Sequence, residues 1–60
     1  MGNQTKFIRD TVLRHLHNER NFNGMIIAEI NGCNFSAADI ALPDSDNRCQ
    51  VYRLMIIKYG

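Results

Sequence analysis

The sequence predicts a small α+β domain that begins with an amphipathic helix, continues through two shorter helices and ends in a β-prone segment. Three observations predict it. Apolar side chains recur at helical spacing near the start, a glycine interrupts an apolar run in the middle, and Val, Tyr and Ile are dense near the end. The chain has 60 residues, enough for one domain with a thin core. We therefore expect residues 1–60 to form a single small domain.

The first predicted element is a helix over about residues 4–18. Ile8, Val12 and Leu16 recur every fourth position, and Leu13 widens the same apolar stripe. This spacing is typical of a helix that buries one face. Asparagines and a glycine then follow, and such residues favour the end of a helix.

The favoured interpretation of the next segment is a second helix over about residues 24–31. Asn23 would cap its start, because a short polar side chain can accept a hydrogen bond from a free backbone N–H. Gly32 would end it, since glycine adopts the left-handed conformation that other residues resist.

A third helix is expected over about residues 36–42, beginning at Ser36. Asp39 follows three residues later, in the manner of a capping box. Pro43 would end this helix, because proline disfavours helical backbone in the residue before it. The expected fold is therefore three helices followed by a β tail.

An alternative interpretation makes the same middle segment a β-hairpin. Asn31-Gly32 would form a type I′ turn that joins strands Met25–Ile30 and Cys33–Leu42, because Asn-Gly between apolar residues is a strong hairpin signal. The fold would then be one N-terminal helix packed on a three-stranded antiparallel sheet. The Ser-Ala-Ala-Asp segment favours the helical interpretation, since Ala and Asp are depleted in strands.

The end of the chain predicts a turn over residues 43–47 and a strand over about residues 48–58. The turn follows from its Pro, Asp, Ser and Asn content. The strand would place alternate residues on opposite faces. One face carries Val51, Arg53, Met55 and Ile57, and the other carries Tyr52, Leu54, Ile56 and Lys58.

Composition narrows the functional classes. The formal net charge is +1, the hydrophobic content is 45%, and there are two cysteines, Cys33 and Cys49. We expect a cytoplasmic protein with reduced and largely buried thiols and no membrane segment. The sequence shows no phosphate loop, nucleophile elbow or paired metal-ligand spacing. We therefore expect no enzymatic activity, no cofactor, no metal and no small-molecule substrate.

Several residues of the middle segment carry a family resemblance. Ala28 is a small residue within the expected second helix, and Gly32 followed by the apolar Cys33 stands at the expected turn. Together with Ala38 and Ala41, this pattern resembles the winged helix-turn-helix superfamily of DNA-binding proteins. The segment 50–54 looks like the returning wing strand of such proteins, whereas Asn31 departs from their pattern.

The resemblance implies a small DNA-binding accessory or regulatory protein of phage or plasmid type, acting in transcription regulation. Contacts with nucleic acid are expected from the helix-turn-helix and from basic residues of the tail. The candidate nucleic-acid-binding residues are Asn34, Ser36, Arg48, Arg53 and Lys58.

The near-neutral charge and the apolar tail favour a second function class, a protein-binding module that inhibits or modulates a larger host protein. A strand that is apolar on both faces is hard to bury within one small chain. We therefore also expect a homodimer. Its candidate interface residues are Val51, Tyr52, Leu54 and Ile56.

Overall fold

The computed structural model describes residues 4–60, which form one helix and three strands. Helix α1 spans Gln4–His17, strand β1 spans Met25–Asn31, strand β2 spans Phe35–Pro43 and strand β3 spans Cys49–Ile57. The strands pair antiparallel in the order β1-β2-β3. Helix α1 packs on β2 and β3. The α+β class, the first helix and the terminal strand are confirmed, and the architecture is the alternative of one helix on a three-stranded sheet.

The second and third helices expected over about residues 24–31 and 36–42 are wrong, because these segments form β1 and β2. Strand β2 is the central strand, and helix α1 lies against one of its faces. Ala38 is fully buried beneath the helix, and Ala37 is fully buried on the opposite face of the strand. A central strand beneath a helix favours small side chains, so packing outweighs the low intrinsic strand preference of alanine.

The residues expected to cap the third helix have partners on other elements instead. The Ser36 hydroxyl lies 2.8 Å from the hydroxyl of Thr5 on α1. The Asp39 carboxylate accepts a hydrogen bond of 2.8 Å from Nε of Arg53 on β3. The Ser-x-x-Asp spacing therefore reflects two tertiary contacts on opposite faces of a strand.

The connection between β1 and β2 comprises residues 32–34, and the N–H of Gly32 donates to the carbonyl of Phe35 at 2.9 Å. The hairpin is therefore centred on Cys33-Asn34 and not on Asn31-Gly32. A type I′ turn needs positive φ at both central residues. Within residues 4–60, positive φ occurs at Asn47 and Gly60, so Asn31-Gly32 is not such a turn. Glycine is required at position 32 for a steric reason instead, because a Cβ atom there would overlap the ring of Phe35.

The turn predicted over residues 43–47 is confirmed for residues 44–47, whereas Pro43 is the last residue of β2, and the turn is organised by Asp44. The Oδ1 atom of Asp44 accepts backbone N–H groups from Asp46 at 2.9 Å and from Arg48 at 3.1 Å. Asn47 adopts a φ of 63°, a left-handed conformation that asparagine tolerates better than most residues. The side chain of Asp44 thus holds together the connection from β2 to β3.

The core lies between α1 and the sheet and is small. Leu13, Ala38 and Ile40 are buried at its centre, surrounded by the partly buried residues Leu16, Phe22, Ile26, Leu42 and Leu54.

The helix face that packs on the sheet is shifted from the predicted stripe. Leu13 is buried as predicted, but Ile8 is 43% exposed. The buried positions are Thr5, Arg9 and Leu13, which recur every four residues as a helix face requires. Two of these three side chains are polar, which is why apolar spacing alone missed the face.

Candidate functional site

The sheet face opposite α1 is not covered by any other described element, and we call it the open face. Cross-strand partners share a face, so the register assigns to it Met25, Ala28, Ile30, Phe35, Ala37, Asp39, Ala41, Val51, Arg53, Met55 and Ile57. Large apolar side chains dominate its rim, since Met25 is 68% exposed, Val51 58% and Ile57 52%. The open face is therefore a mostly apolar surface in contact with solvent.

One ion pair lies near the middle of the open face. Asp39 and Arg53 are direct cross-strand partners, and the guanidinium donates from Nε to Oδ1 at 2.8 Å and from Nη2 to Oδ2 at 3.2 Å. This forked hydrogen bond from Arg53 lowers the pKa of Asp39 below its usual value. A helix over residues 36–42 would not place Asp39 opposite Arg53, and only the strand register brings the two charges together.

Strand β3 forms one edge of the sheet, and the orientation of its backbone can be derived from the ladder. The N–H of Lys58 donates to the carbonyl of Asn34 at 2.9 Å, and the N–H of Asp44 donates to the carbonyl of Arg48 at 2.8 Å. Hydrogen-bonded pairs alternate along an antiparallel ladder, and the β2–β3 register has no shift. The even-numbered residues of β3 therefore bond to β2, while odd-numbered residues from Cys49 to Ile57 direct N–H and C=O outward.

The opposite edge strand, β1, is less regular. Its register with β2 shifts between Ile26 and Ala28, which marks a β-bulge. Bulges are common devices that prevent an edge strand from pairing with another chain. Of the two edges, β3 is the one that lacks a bulge.

Arg9 forms the most extensive polar cluster among the described residues. It is fully buried and donates from Nε and Nη2 to Asp10, from Nη2 to Glu29, and from Nη1 to the side chain of Asn31 and the carbonyl of Ala37, at 2.8 to 3.1 Å. These bonds use all five N–H donors of a guanidinium. Arg9 therefore fastens α1 to β1 and β2 and presents no donor to a ligand.

The candidate nucleic-acid-binding residues lie at several separate places. Asn34 in the β1–β2 loop and Lys58 after β3 are exposed neighbours, joined by the backbone bond described above. Arg48 is exposed in the β2–β3 turn, at the opposite end of β3. The structure thus brings Asn34 and Lys58 together and places Arg48 apart from them.

The other two candidates for nucleic-acid contacts are engaged within the protein. Ser36 is fully buried beneath α1, so its side chain does not reach the surface. Arg53 has a half-exposed side chain, but it pairs with Asp39.

The candidate dimer residues lie on both faces of β3. Val51 is on the open face, whereas Tyr52, Leu54 and Ile56 alternate with it and face the side of the helix. Tyr52 is 55% exposed, while Leu54 packs against the core. These residues share one edge strand without sharing one face.

The side chains considered for metal or thiol chemistry are scattered. Residues 4–60 contain no group of three or more His, Cys, Asp and Glu side chains that could hold a metal ion. The ring of His17 packs edge-on against Phe22, with centroids 5.6 Å apart. Cys33 and Cys49 are both free and exposed, so the expectation of buried thiols was wrong. In the described part of the chain, no helix has the length and apolar character needed to cross a membrane.

Comparison with protein families, curated proteins and solved structures gave no match to this chain. The features of the molecule that bear on its function are therefore the open face, the free edge of β3 and the distribution of charge.

Proposed function

We propose that the protein is a small protein-binding module that modulates a larger partner protein through its open face. The observation that carries the proposal is the exposure of large apolar side chains on a sheet face that no other described element covers. Contiguous exposed apolar patches on small proteins commonly mark interaction sites. Burying this face against a partner would remove apolar surface from water, at about 25 cal/mol for each Å².

The chemistry of the open face suits recognition of another protein. Met25 and Met55 provide flexible apolar contacts, and methionine is enriched in interfaces, as is arginine. The Asp39–Arg53 pair lies among these apolar residues and offers hydrogen-bonding groups at fixed positions. A partner would need complementary polar groups at that point, which would make binding selective.

DNA binding is the competing proposal and depends on Asn34, Arg48, Arg53 and Lys58. Its support is the presence of exposed basic side chains at both ends of β3. The net charge of +1 supplies little of the basic excess that phosphate contacts require, and Arg53 is already paired with Asp39. We therefore rank protein binding first.

The experiment compares Met55→Glu with Phe7→Glu in affinity capture from host extract, followed by titration of the purified partner. Met55 is 41% exposed on the open face, and Phe7 is 66% exposed on α1. Both variants exchange an exposed apolar side chain for the same carboxylate, so Phe7→Glu is a matched control. We expect wild type and Phe7→Glu to bind one stoichiometric partner, and Met55→Glu to bind it at least about tenfold more weakly.

Binding to random duplex DNA is measured in parallel, and its result distinguishes DNA binding from protein binding. DNA binding at about 50 mM salt that weakens steeply as salt rises, and that decreases in Arg48→Ala and Lys58→Ala, would favour the competitor. That result combined with equal protein capture by wild type and Met55→Glu would overturn the proposal.

A further inference from the structure

The free edge of β3 offers a strand-pairing surface that is distinct from the open face. The strand has nine residues, from Cys49 to Ile57, and its register with β2 is regular throughout. Its odd-numbered residues direct backbone N–H and C=O groups outward, as derived above. An exposed edge of this length, without a bulge or proline, is a template for pairing with another strand.

The single charged residue of β3 does not protect this edge. Arg53 lies in the middle of the strand, where a charged side chain would normally discourage pairing. Its guanidinium is bound to Asp39 on β2, at 2.8 Å. The ion pair therefore neutralises the charge and directs the side chain toward the centre of its own sheet and away from the edge.

From these observations we infer that β3 pairs antiparallel with β3 of a second copy, about a two-fold axis that passes midway between the Leu54 residues of the two copies. The outward-facing residues Val51 and Arg53 would form hydrogen-bonded pairs with Ile57 and Met55 of the second copy, and each pair would occur twice. Odd-numbered residues of one copy then lie opposite odd-numbered residues of the other, so the open faces of both sheets lie on the same side. The product is a continuous six-stranded sheet with both helices on one side.

The side chains that lie opposite one another favour the register centred on Leu54. Centring on Leu54 opposes Val51 to Ile57 and Tyr52 to Ile56, and all four are apolar or aromatic. Three of them, Val51, Tyr52 and Ile57, are more than half exposed in the single chain. Their pairing gives the exposed side chains on both faces of β3 a neighbour across the interface.

Centring one residue earlier is less favourable. It would place Arg53 opposite Arg53 of the second copy, about 5.5 Å apart between Cα atoms in a hydrogen-bonded pair. Like charges directly opposite destabilise a strand pair. In the register about Leu54, Arg53 faces Met55 instead, whose flexible apolar chain can lie along the stem of the arginine.

The dimer has a consequence for partner binding, although it does not depend on the proposed function. The two-fold axis stands perpendicular to the sheet, so the two open faces become one surface on the same side. A partner would meet two copies of the Asp39–Arg53 pair, related by symmetry. A bivalent partner could then bind more tightly than one that contacts a single chain.

Solution mass tests the dimer directly, by sedimentation equilibrium over a concentration series. We expect the mass to rise from the 6.9 kDa of one chain toward twice that value. Val51→Pro removes an outward N–H that the second copy would need, so this variant should stay monomeric. It should still fold, because proline is tolerated in an edge strand where the missing N–H faces outward. Val51→Thr keeps the N–H and is the matched control that should dimerise. A wild-type mass of 6.9 kDa at about 1 mM, where even weak pairing would be populated, would overturn the inference.

Hydrogen exchange of the wild-type protein keeps the test independent of whether Val51→Pro folds. The outward amides of Val51, Arg53, Met55 and Ile57 should exchange quickly in dilute protein and slow at least about tenfold as the concentration rises. The amides of the even-numbered residues, which bond to β2, should show little concentration dependence. Outward amides that exchange equally fast at every concentration would exclude pairing along this edge.

A cysteine cross-link tests the register. In this register Cys49 faces Tyr59 of the second copy, at a Cα separation of about 5.5 Å that a disulfide can bridge. Tyr59→Cys, combined with Cys33→Ser, should therefore give a covalent dimer on mild oxidation. The control is Lys58→Cys in the same background, which has the wrong parity and should cross-link much more slowly. Equal cross-linking of the two variants would exclude the register about Leu54. The dimer and the proposed function can fail independently. If Met55→Glu loses partner binding but still dimerises, partner binding depends on the open face and dimerisation does not.

Discussion

The hydroxyl groups of Thr5 and Ser36 lie 2.8 Å apart in the buried layer between α1 and β2. Both residues are almost completely buried, with 3% and 0% of their surface exposed. The contact joins positions that are 31 residues apart in the chain. It fixes the start of the helix over the start of the central strand.

Because the two hydroxyl groups depend on each other, we expect their substitutions to be coupled. Ser36→Ala and Thr5→Val should each lower the free energy of unfolding by about 1–3 kcal/mol, because each removes one hydroxyl group from this contact and leaves the other buried without that partner. Urea denaturation of both single variants and the double variant measures the coupling. Additive single effects, with no coupling, would show that the contact contributes nothing to stability.

Arg9 should be the most sensitive polar position in the protein. It is fully buried and donates five hydrogen bonds to α1, β1 and β2. Arg9→Ala leaves a cavity and a buried carbonyl at Ala37 without this donor, so we expect a loss of about 3–5 kcal/mol. For a chain of this size that loss approaches the whole free energy of unfolding.

Arg9→Lys and Arg14→Lys separate the hydrogen-bond geometry of Arg9 from its charge. Lysine keeps the charge but has three donors and no planar fork, so Arg9→Lys should still lose at least about 1 kcal/mol. Arg14 is exposed on the same helix, and Arg14→Lys should change stability by less than about 0.5 kcal/mol. Thermal and urea unfolding measure both. If Arg9→Lys matched wild type, the guanidinium geometry would be irrelevant and charge alone would suffice.

The sequence predicted the outer elements well and the middle poorly. The first helix and strand β3 can be predicted from local periodicity, because the spacing of apolar residues such as Val12 and Ile56 does not depend on distant parts of the chain. Residues 36–42 could not be assigned locally, because the small, buried side chain of Ala38 is suited to a strand only once α1 lies over it. The small side chains are a consequence of tertiary packing, which a local helix preference does not describe.

For the candidate surfaces too, features within one strand could be predicted from the sequence, whereas contacts between strands could not. The alternation of residues along β3 was visible in the sequence, and with it the apolar character of Val51 and Ile57. The Asp39–Arg53 pair and the burial of Ser36 depend on the strand register, which the helical interpretation excluded. A buried Arg9 was also hidden, since arginine on a helix is usually exposed. Its spacing of four residues from Leu13 was the one signal available.

Asn47 should tolerate glycine and resist alanine. Its φ of 63° lies in a region where a Cβ atom costs about 1–2 kcal/mol for most residues and less for asparagine. We therefore expect Asn47→Ala to destabilise the protein by about 1 kcal/mol. Asn47→Gly should change stability by less than about 0.5 kcal/mol, because the relief of strain offsets the greater freedom of the unfolded chain.

The control for Asn47 is Ser45→Ala, in the same turn but at a residue without positive φ. It should be close to neutral. Urea denaturation of the three variants gives the comparison. Equal losses for Asn47→Ala and Asn47→Gly would show that the left-handed backbone is not what selects asparagine there.

Stability should fall in acid, in part through Asp44. Backbone N–H groups of Arg48 and Asp46 donate to this carboxylate and lower its pKa below the usual value of about 3.8. A carboxylate whose pKa is lower in the folded state stabilises the protein above its unfolded pKa, and this contribution is lost as pH falls through the folded value. The same sign applies to Asp39, whose pKa is lowered by Arg53.

Asp44→Asn isolates the contribution of Asp44. The amide oxygen can still accept the two N–H groups, but less strongly than a carboxylate, and it does not titrate. We expect the variant to be less stable than wild type near neutral pH and the two to converge as pH falls below the usual carboxyl pKa of about 4. Asp46→Asn removes a charge from the same turn while keeping the N–H of residue 46 bonded to Asp44, so it controls for net charge. Urea denaturation at a series of pH values supplies the curves. A stability difference between wild type and Asp44→Asn that stayed constant through the acid range would mean that the turn does not depend on ionised Asp44.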